Sequence, residues 1–197
     1  MVQENNCKNT NLVDLCFIEA FRDDENIYIV TQFKNNTTSL GNYIEQNKLT
    51  LEQIYDILLI LLNKLKTIHL LNIVHNDIKP ANILVQYSGN GILDLSYIDY
   101  GETCLCNESD MCPTSGTIDF HPEQVLLITQ QKCNLTYYND IYSLGITIKK
   151  LLEKSNINNN FINFIKENML NLDMYDNEYT IDFLNNLIKT TLIEKVM

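Results

Sequence analysis

No stretch of this 197-residue chain reaches about 18 consecutive apolar residues, the length a membrane-spanning helix requires. The first twenty residues also lack a basic start followed by an apolar run. The expectation is a soluble, intracellular, cytoplasmic protein. Basic residues are scarce: 14 Lys plus Arg stand against 25 Asp plus Glu, a formal net charge of -11, and arginine occurs only at Arg22. Such a chain has little attraction for phosphate backbones or anionic lipid, so neither nucleic acid nor a membrane is the expected partner. The acidity reads as a solvated surface. Glycine is scarce as well, with six residues and none before Gly41, so the N-terminal part holds no glycine-rich phosphate loop. Six cysteines (7, 16, 104, 106, 112 and 133) occur without a secretory signal, which makes reduced thiols the expectation.

What is present has the size of one domain with a real core. Leu15 to Phe21 and Asn26 to Phe33 are rich in Ile, Val, Tyr and Phe and flank the turn Arg22-Asp23-Asp24-Glu25, a hairpin signal. Ser39 is a candidate cap for a short helix through Leu40, Tyr43 and Ile44. Over Leu51 to Leu71, apolar Ile54, Ile57, Leu58, Leu61, Leu62, Leu65 and Ile68 recur at three and four, which predicts a core helix with one wide apolar face. Two short apolar stretches from Ile83 to Asp99 flank Ser88-Gly89-Asn90-Gly91, predicting a second hairpin. Asn139 is expected to open a long helix through Ile146, Ile148, Leu151 and Leu152. Helical patterns then follow at Phe161 to Leu170 and at Ile181 to Leu192.

The chemistry concentrates in His75-Asn76-Asp77-Ile78-Lys79-Pro80-Ala81-Asn82-Ile83-Leu84. This stretch resembles the catalytic loop of the eukaryotic-type protein kinases, His-Arg-Asp followed after four residues by Asn, with Asn76 where Arg is usual. Ser96-Tyr97-Ile98-Asp99-Tyr100-Gly101 resembles the Asp-Phe-Gly element, with Tyr for Phe. Gly116-Thr117-Ile118-Asp119-Phe120-His121-Pro122-Glu123 is similar to the end of an activation segment, one residue shorter. Asn139-Asp140-Ile141-Tyr142-Ser143-Leu144-Gly145 matches the start of the central helix of the C-lobe.

The resemblance implies an α+β fold: a mostly helical kinase C-lobe over residues 35–197, with a β-hairpin remnant of the N-lobe in residues 1–34. It implies Ser/Thr protein kinase activity with ATP and Mg2+. Asp77 would be the base, Lys79 the charge neutraliser, Asn82 and Asp99 the magnesium ligands, and Thr117 a partner of Asp77 and Lys79 that points to Ser/Thr substrates. Thr31, Gln32 and Lys34 fall on the hinge that would receive the adenine, and Leu84 would form the apolar floor beneath it. The match to Asp140 would bond the catalytic-loop backbone.

Three features of the family find no match in these residues: the glycine-rich cover, the Val-Ala-Ile-Lys lysine and its glutamate partner. A complete domain of this kind takes roughly 250 residues. A different class of function therefore stands beside the enzyme: a pseudokinase or scaffold, or a gene fragment, whose hairpin would be covered by a protein partner. With no arginine after Arg22, the ion pair that the family makes to the match of Glu123 cannot form. Asn76 implies that no phosphorylated activation segment is received by an arginine here. Cys104, Cys106 and Cys112 lie inside this segment. As a zinc site they would need a fourth ligand, and Cys-x-Cys is not the usual spacing, so they are expected to be free surface thiols rather than a zinc or redox centre.

Overall fold

The computed structural model describes residues 17–25, 27–31, 33–89, 91–106, 111–123, 125, 130–157 and 160–170. The expectations for the segment after Leu170 lie outside the described residues. Two strands open the described part, β1 (Phe17–Arg22) and β2 (Ile27–Thr31), paired antiparallel as the aromatic and β-branched pattern predicts. Among the described strands these two pair only with each other.

A three-stranded sheet follows, ordered β3 (Thr37–Ser39), β5 (Ile83–Ser88), β6 (Gly91–Tyr97). β5 pairs with β6 with Ser88 opposite Gly91 and Ile83 opposite Tyr97, as the hairpin signal requires. Helix α1 (Leu40–Gln46) starts where Ser39 accepts a bond from the Asn42 amide. Helix α2 (Leu51–Leu70) starts with a reciprocal cap, in which the Gln53 amide donates to Thr50 Oγ1 and the Thr50 amide donates to Gln53 Oε1. It stops at Asn72, whose φ of 58° is the left-handed conformation that ends helices and that Asn adopts more readily than most residues.

The apolar stripe of α2 lies fully inside: Ile54, Leu58, Leu61, Leu62 and Leu65 are 0% exposed and pack with Leu144, Ile148, Leu151 and Leu152. Those four belong to α3 (Cys133–Lys154), which begins six residues before the expected Asn139. The cause is local: Lys132 caps α3 without a side-chain bond, so no capping residue marks the start. Helix α4 (Asn160–Asn168) adds Phe161 and Ile165 to the same core. Gly145 permits the crossing, since a Cβ there would lie 2.9 Å from Met169 Cβ and 2.8 Å from Leu170 Cδ2.

Two small two-stranded ladders tie the middle of the chain to this core. β4 (Ile73–Val74) pairs with β7 (Cys104–Leu105), and β8 (Met111–Pro113) pairs with β9 (Gln130–Lys132). Among the described residues no helix is long and apolar enough to cross a membrane.

Candidate active site

The loop after β4 is fixed from below by one carboxylate. Asp140, on α3 and 0% exposed, accepts the His75 amide at 2.8 Å and the Asn76 amide at 2.9 Å, and its Oδ2 also lies 2.9 Å from His69 Nε2 at the end of α2. A buried carboxylate is tolerated because these donors replace its water. Two helices and the loop are thereby locked together. His69 carries no motif signal in the sequence; only its position in the last turn of α2 could have suggested it.

His75 holds the loop to the strand opposite. Its Nδ1 accepts the Asp77 amide at 3.3 Å, so Nε2 carries the proton and donates to the Ile98 carbonyl at 3.2 Å. The ring lies between Tyr97 and Tyr100, with centroids at 5.7 and 4.8 Å. The Ile98 amide donates to the Asn82 carbonyl at 2.9 Å, which brings the backbone of Asp99 beside Asn82.

Four side chains then meet above the loop. Asp77, 7% exposed, accepts Lys79 Nζ and Asn82 Nδ2 on Oδ2, both at 2.7 Å, and the Thr117 hydroxyl on Oδ1 at 2.7 Å. Lys79 Nζ also donates to Thr117 Oγ1 at 2.7 Å, and Asn82 Nδ2 to the Asp77 carbonyl at 2.9 Å. Burial alone would raise the Asp77 carboxyl, but the hydrogen bonds from Lys79 and Thr117, the Lys79 charge and the Asn82 bond outweigh it and hold the group below the usual carboxylate range. Asp77 is therefore an anion at neutral pH with both oxygens oriented.

Thr117 comes from 38 residues beyond Lys79, and its strand of chain is seated by a close approach. Gly116 has φ +101°, and a Cβ there would lie 2.1 Å from the Asn76 carbonyl oxygen and 2.8 Å from His121 Nε2. Only glycine fits, on conformation and on space. Asn76 itself has φ 64°, a conformation more accessible to Asn than to most residues, and its Nδ2 donates to the Glu102 carbonyl at 3.1 Å. His121 Nε2 lies 3.1 Å from the Asn76 carbonyl oxygen. Burial pushes the His121 imidazole down, partly opposed by that carbonyl and by the charges of Asp140 and Asp77.

The other expected residues are more dispersed. Asp99 is exposed and also left-handed, at φ 64°, with Oδ1 accepting the Gly101 amide at 3.4 Å. Both Asn82 bonds use Nδ2, so its Oδ1 forms the other arm of the amide. An amide oxygen and a carboxylate on neighbouring backbone are oxygen donors of the kind a hard divalent cation takes, with water and phosphate completing its shell. Leu84 is half-buried on β5, opposite Ser39 and Ser96. Thr31 is exposed at the end of β2, opposite Phe17, and Lys34 pairs with Asp94 at 3.8 Å, which also binds Lys64 at 2.9 Å. Gln32 lies outside the described residues.

The expectation of free surface thiols fails. Cys106 and Cys112 are 4% and 0% exposed and pack with Val74, and Cys104 is joined to Cys112 by a disulfide. The short ladders β4–β7 and β8–β9 draw the three together, and no local pattern announces pairings of two or three residues.

Comparison with known proteins places this geometry. The protein kinase domain family matches residues 3–192. A probable serine/threonine-protein kinase of Dictyostelium discoideum is 33% identical over 70% of this chain and 10% of its own length. A probable serine/threonine-protein kinase of Lactococcus lactis is 30% identical over 72% of the chain and 22% of its own. A mitosis inhibitor protein kinase of Candida albicans is 40% identical over 68% and 11%. The chain thus spans between about a tenth and about a fifth of the length of these relatives. With the family matched along almost its whole length and the loop at His75 folded around Asp77, the chain belongs to the protein kinase domain family.

Proposed function

We propose that this chain is a Ser/Thr protein kinase that transfers the γ-phosphoryl group of ATP to a protein hydroxyl. The observation that carries this reading is the closed set of bonds among Asp77, Lys79, Asn82 and Thr117, which keeps one carboxylate charged, desolvated and aimed. Phosphoryl transfer asks little covalent chemistry of the protein; it needs positioning and charge neutralisation.

In this reading Asp77 accepts the proton of the attacking hydroxyl, which its lowered proton affinity permits because it is always ionised at working pH. Lys79, held between Asp77 and Thr117, would offset the charge of the moving phosphoryl group. Thr117 bonds both groups and so fixes the distance between base and lysine. Asn82 Oδ1 and the Asp99 carboxylate would hold Mg2+. When bound, that ion would supply positive charge to offset that of the phosphates. In the same reading the stretch before residue 35 belongs to the N-lobe, with Thr31, Gln32 and Lys34 as the hinge, the stretch after it to the C-lobe, and Leu84 would underlie the adenine.

The test is transfer from radiolabelled ATP in Mg2+ to Ser/Thr-containing and Tyr-containing protein substrates. Label on Ser or Thr is expected, with the rate lowered roughly 10²- to 10⁴-fold by Asp77→Asn. Transfer that Asp77→Asn leaves unchanged would overturn the assignment.

A second reading, a binding module without catalysis, is favoured by one observation. The β1–β2 hairpin carries Phe21 and Tyr28 stacked at 4.9 Å and exposed by 52% and 40%, an apolar face suited to a protein partner. It is the correct reading if the chain shows neither transfer nor a melting shift with ATP and Mg2+.

A further inference from the structure

We propose that Asp94 is a positioning residue for the nucleotide: by holding Lys34 it fixes the main chain of the hinge beside Leu84, and so sets how tightly ATP binds. The inference rests on the reading of Thr31, Gln32 and Lys34 as the hinge. Asp94 Oδ2 lies 3.8 Å from Lys34 Nζ, and its Oδ1 lies 2.9 Å from Lys64 Nζ. One carboxylate thus joins the segment that leaves β2, the edge strand β6 and the helix α2.

The register of the sheet puts this pair next to the expected adenine floor. Thr37, Gln86 and Asp94 stand opposite one another across β3, β5 and β6, and two residues along so do Ser39, Leu84 and Ser96. Opposed residues share a face of the sheet, as do residues two apart on one strand. The intervening Val85 and Leu95 are 0% exposed and belong to the core, so the rows of Asp94 and Leu84 lie together on the other face.

The segment is held unevenly. Phe33 is 82% exposed and Thr31 is exposed as well, so apolar packing does little to seat the chain just before Lys34. After Lys34 the backbone is tied down: the Lys34 carbonyl accepts the Thr37 hydroxyl at 2.9 Å, Asn36 turns at φ 54°, and the Asn36 carbonyl accepts the Tyr87 amide at 3.0 Å. Asp94 adds a hold on the Lys34 side chain at the boundary between these two stretches. With its charge removed, the two lysines drawn to it repel each other, and Lys34 moves outward. The hinge then samples more arrangements, which a nucleotide must freeze when it binds. All three side chains are partly exposed, so solvent screens the pair and the effect is modest. None of the bonds among Asp77, Lys79, Asn82 and Thr117 involves Asp94, so the transfer step is left alone.

The test is calorimetric titration of the full chain with a non-hydrolysable ATP analogue and Mg2+, alongside KM and kcat for ATP. Asp94→Asn, which keeps the shape and removes the charge, should raise Kd and KM about three- to fivefold with kcat within about twofold. The rise should shrink in about 0.5 M salt, where the ion pair is screened. Lys34→Met should raise Kd by a similar factor, and adding Asp94→Asn to it should raise Kd little further, because both act through one contact. A purely structural role would lower the melting midpoint and leave Kd and the salt dependence unmoved, and that result overturns the proposal. Additive effects of the two substitutions overturn it too. Analogue binding that Asp94→Asn leaves unchanged overturns this inference alone, whereas an unaltered chain that binds no analogue overturns it together with the kinase reading.

Discussion

At the scale of single residues, the proposed chemistry rests on Asp77 and Lys79. Burial pushes the Asp77 carboxyl up, and it is mainly Lys79, by hydrogen bond and by charge, that turns the balance downward. In Lys79→Met the burial effect is less opposed, so the acid limb of the rate profile should move to higher pH, along with a loss of roughly 10²- to 10³-fold in kcat from the missing charge. A pH profile of transfer checks both; an unmoved acid limb would show that Asp77 is not the titrating base. His121 works in the opposite sense to an activated base, being kept neutral against the Asn76 carbonyl. In the unfolded chain it titrates near 6.5, and in the folded chain lower, so between these values the unfolded chain binds more protons. Its contribution to stability is complete above 6.5 and is lost as the pH falls below it. Urea midpoints between pH 7.5 and 5 should fall less steeply in His121→Gln, which keeps a donor toward Asn76, than in the unaltered chain.

At the scale of elements, α2 and α3 carry the catalytic loop between them through Asp140, and their crossing depends on Gly145. Alanine in a helix interior is ordinarily better than glycine by about 1 kcal/mol. At Gly145 the added carbon meets Met169 Cβ, which cannot swing away as a side-chain tip can, and overpacking of this kind costs about 1–3 kcal/mol. The larger effect wins, so Gly145→Ala should lower the chain's denaturation midpoint, and a raised midpoint would contradict the packing described. The same elements show how sequence pattern and structure divide. The α2 stripe, the Ser39 cap and the β5–β6 hairpin are all local signals, and all were legible; the Thr50–Gln53 cap of α2 is equally local but was not read. The start of α3 was not, because Lys132 caps without a side-chain bond and the Cys133-to-Tyr138 stretch carries no clear apolar stripe.

For the whole molecule, the site is an assembly of distant segments, and its legibility follows sequence separation. Asp77, Lys79 and Asn82 lie in one short loop whose spacing is visible directly, whereas Thr117 and Asp140 were placed only through a resemblance of ordered motifs. The His69–Asp140 contact and the cysteine cluster were invisible, since each depends on elements packing across the core or on ladders of two or three residues. The claim on which the kinase reading turns is that Asn82 and Asp99, brought together by the Ile98–Asn82 backbone bond, grip one metal-bound phosphate chain beside Lys79. A crystal structure of the chain with Mg2+ and a non-hydrolysable ATP analogue tests it most directly. The expected result is an ion between Asn82 Oδ1 and the Asp99 carboxylate, with the terminal phosphate facing Lys79. A nucleotide bound elsewhere, or an ion that touches neither residue, would contradict it.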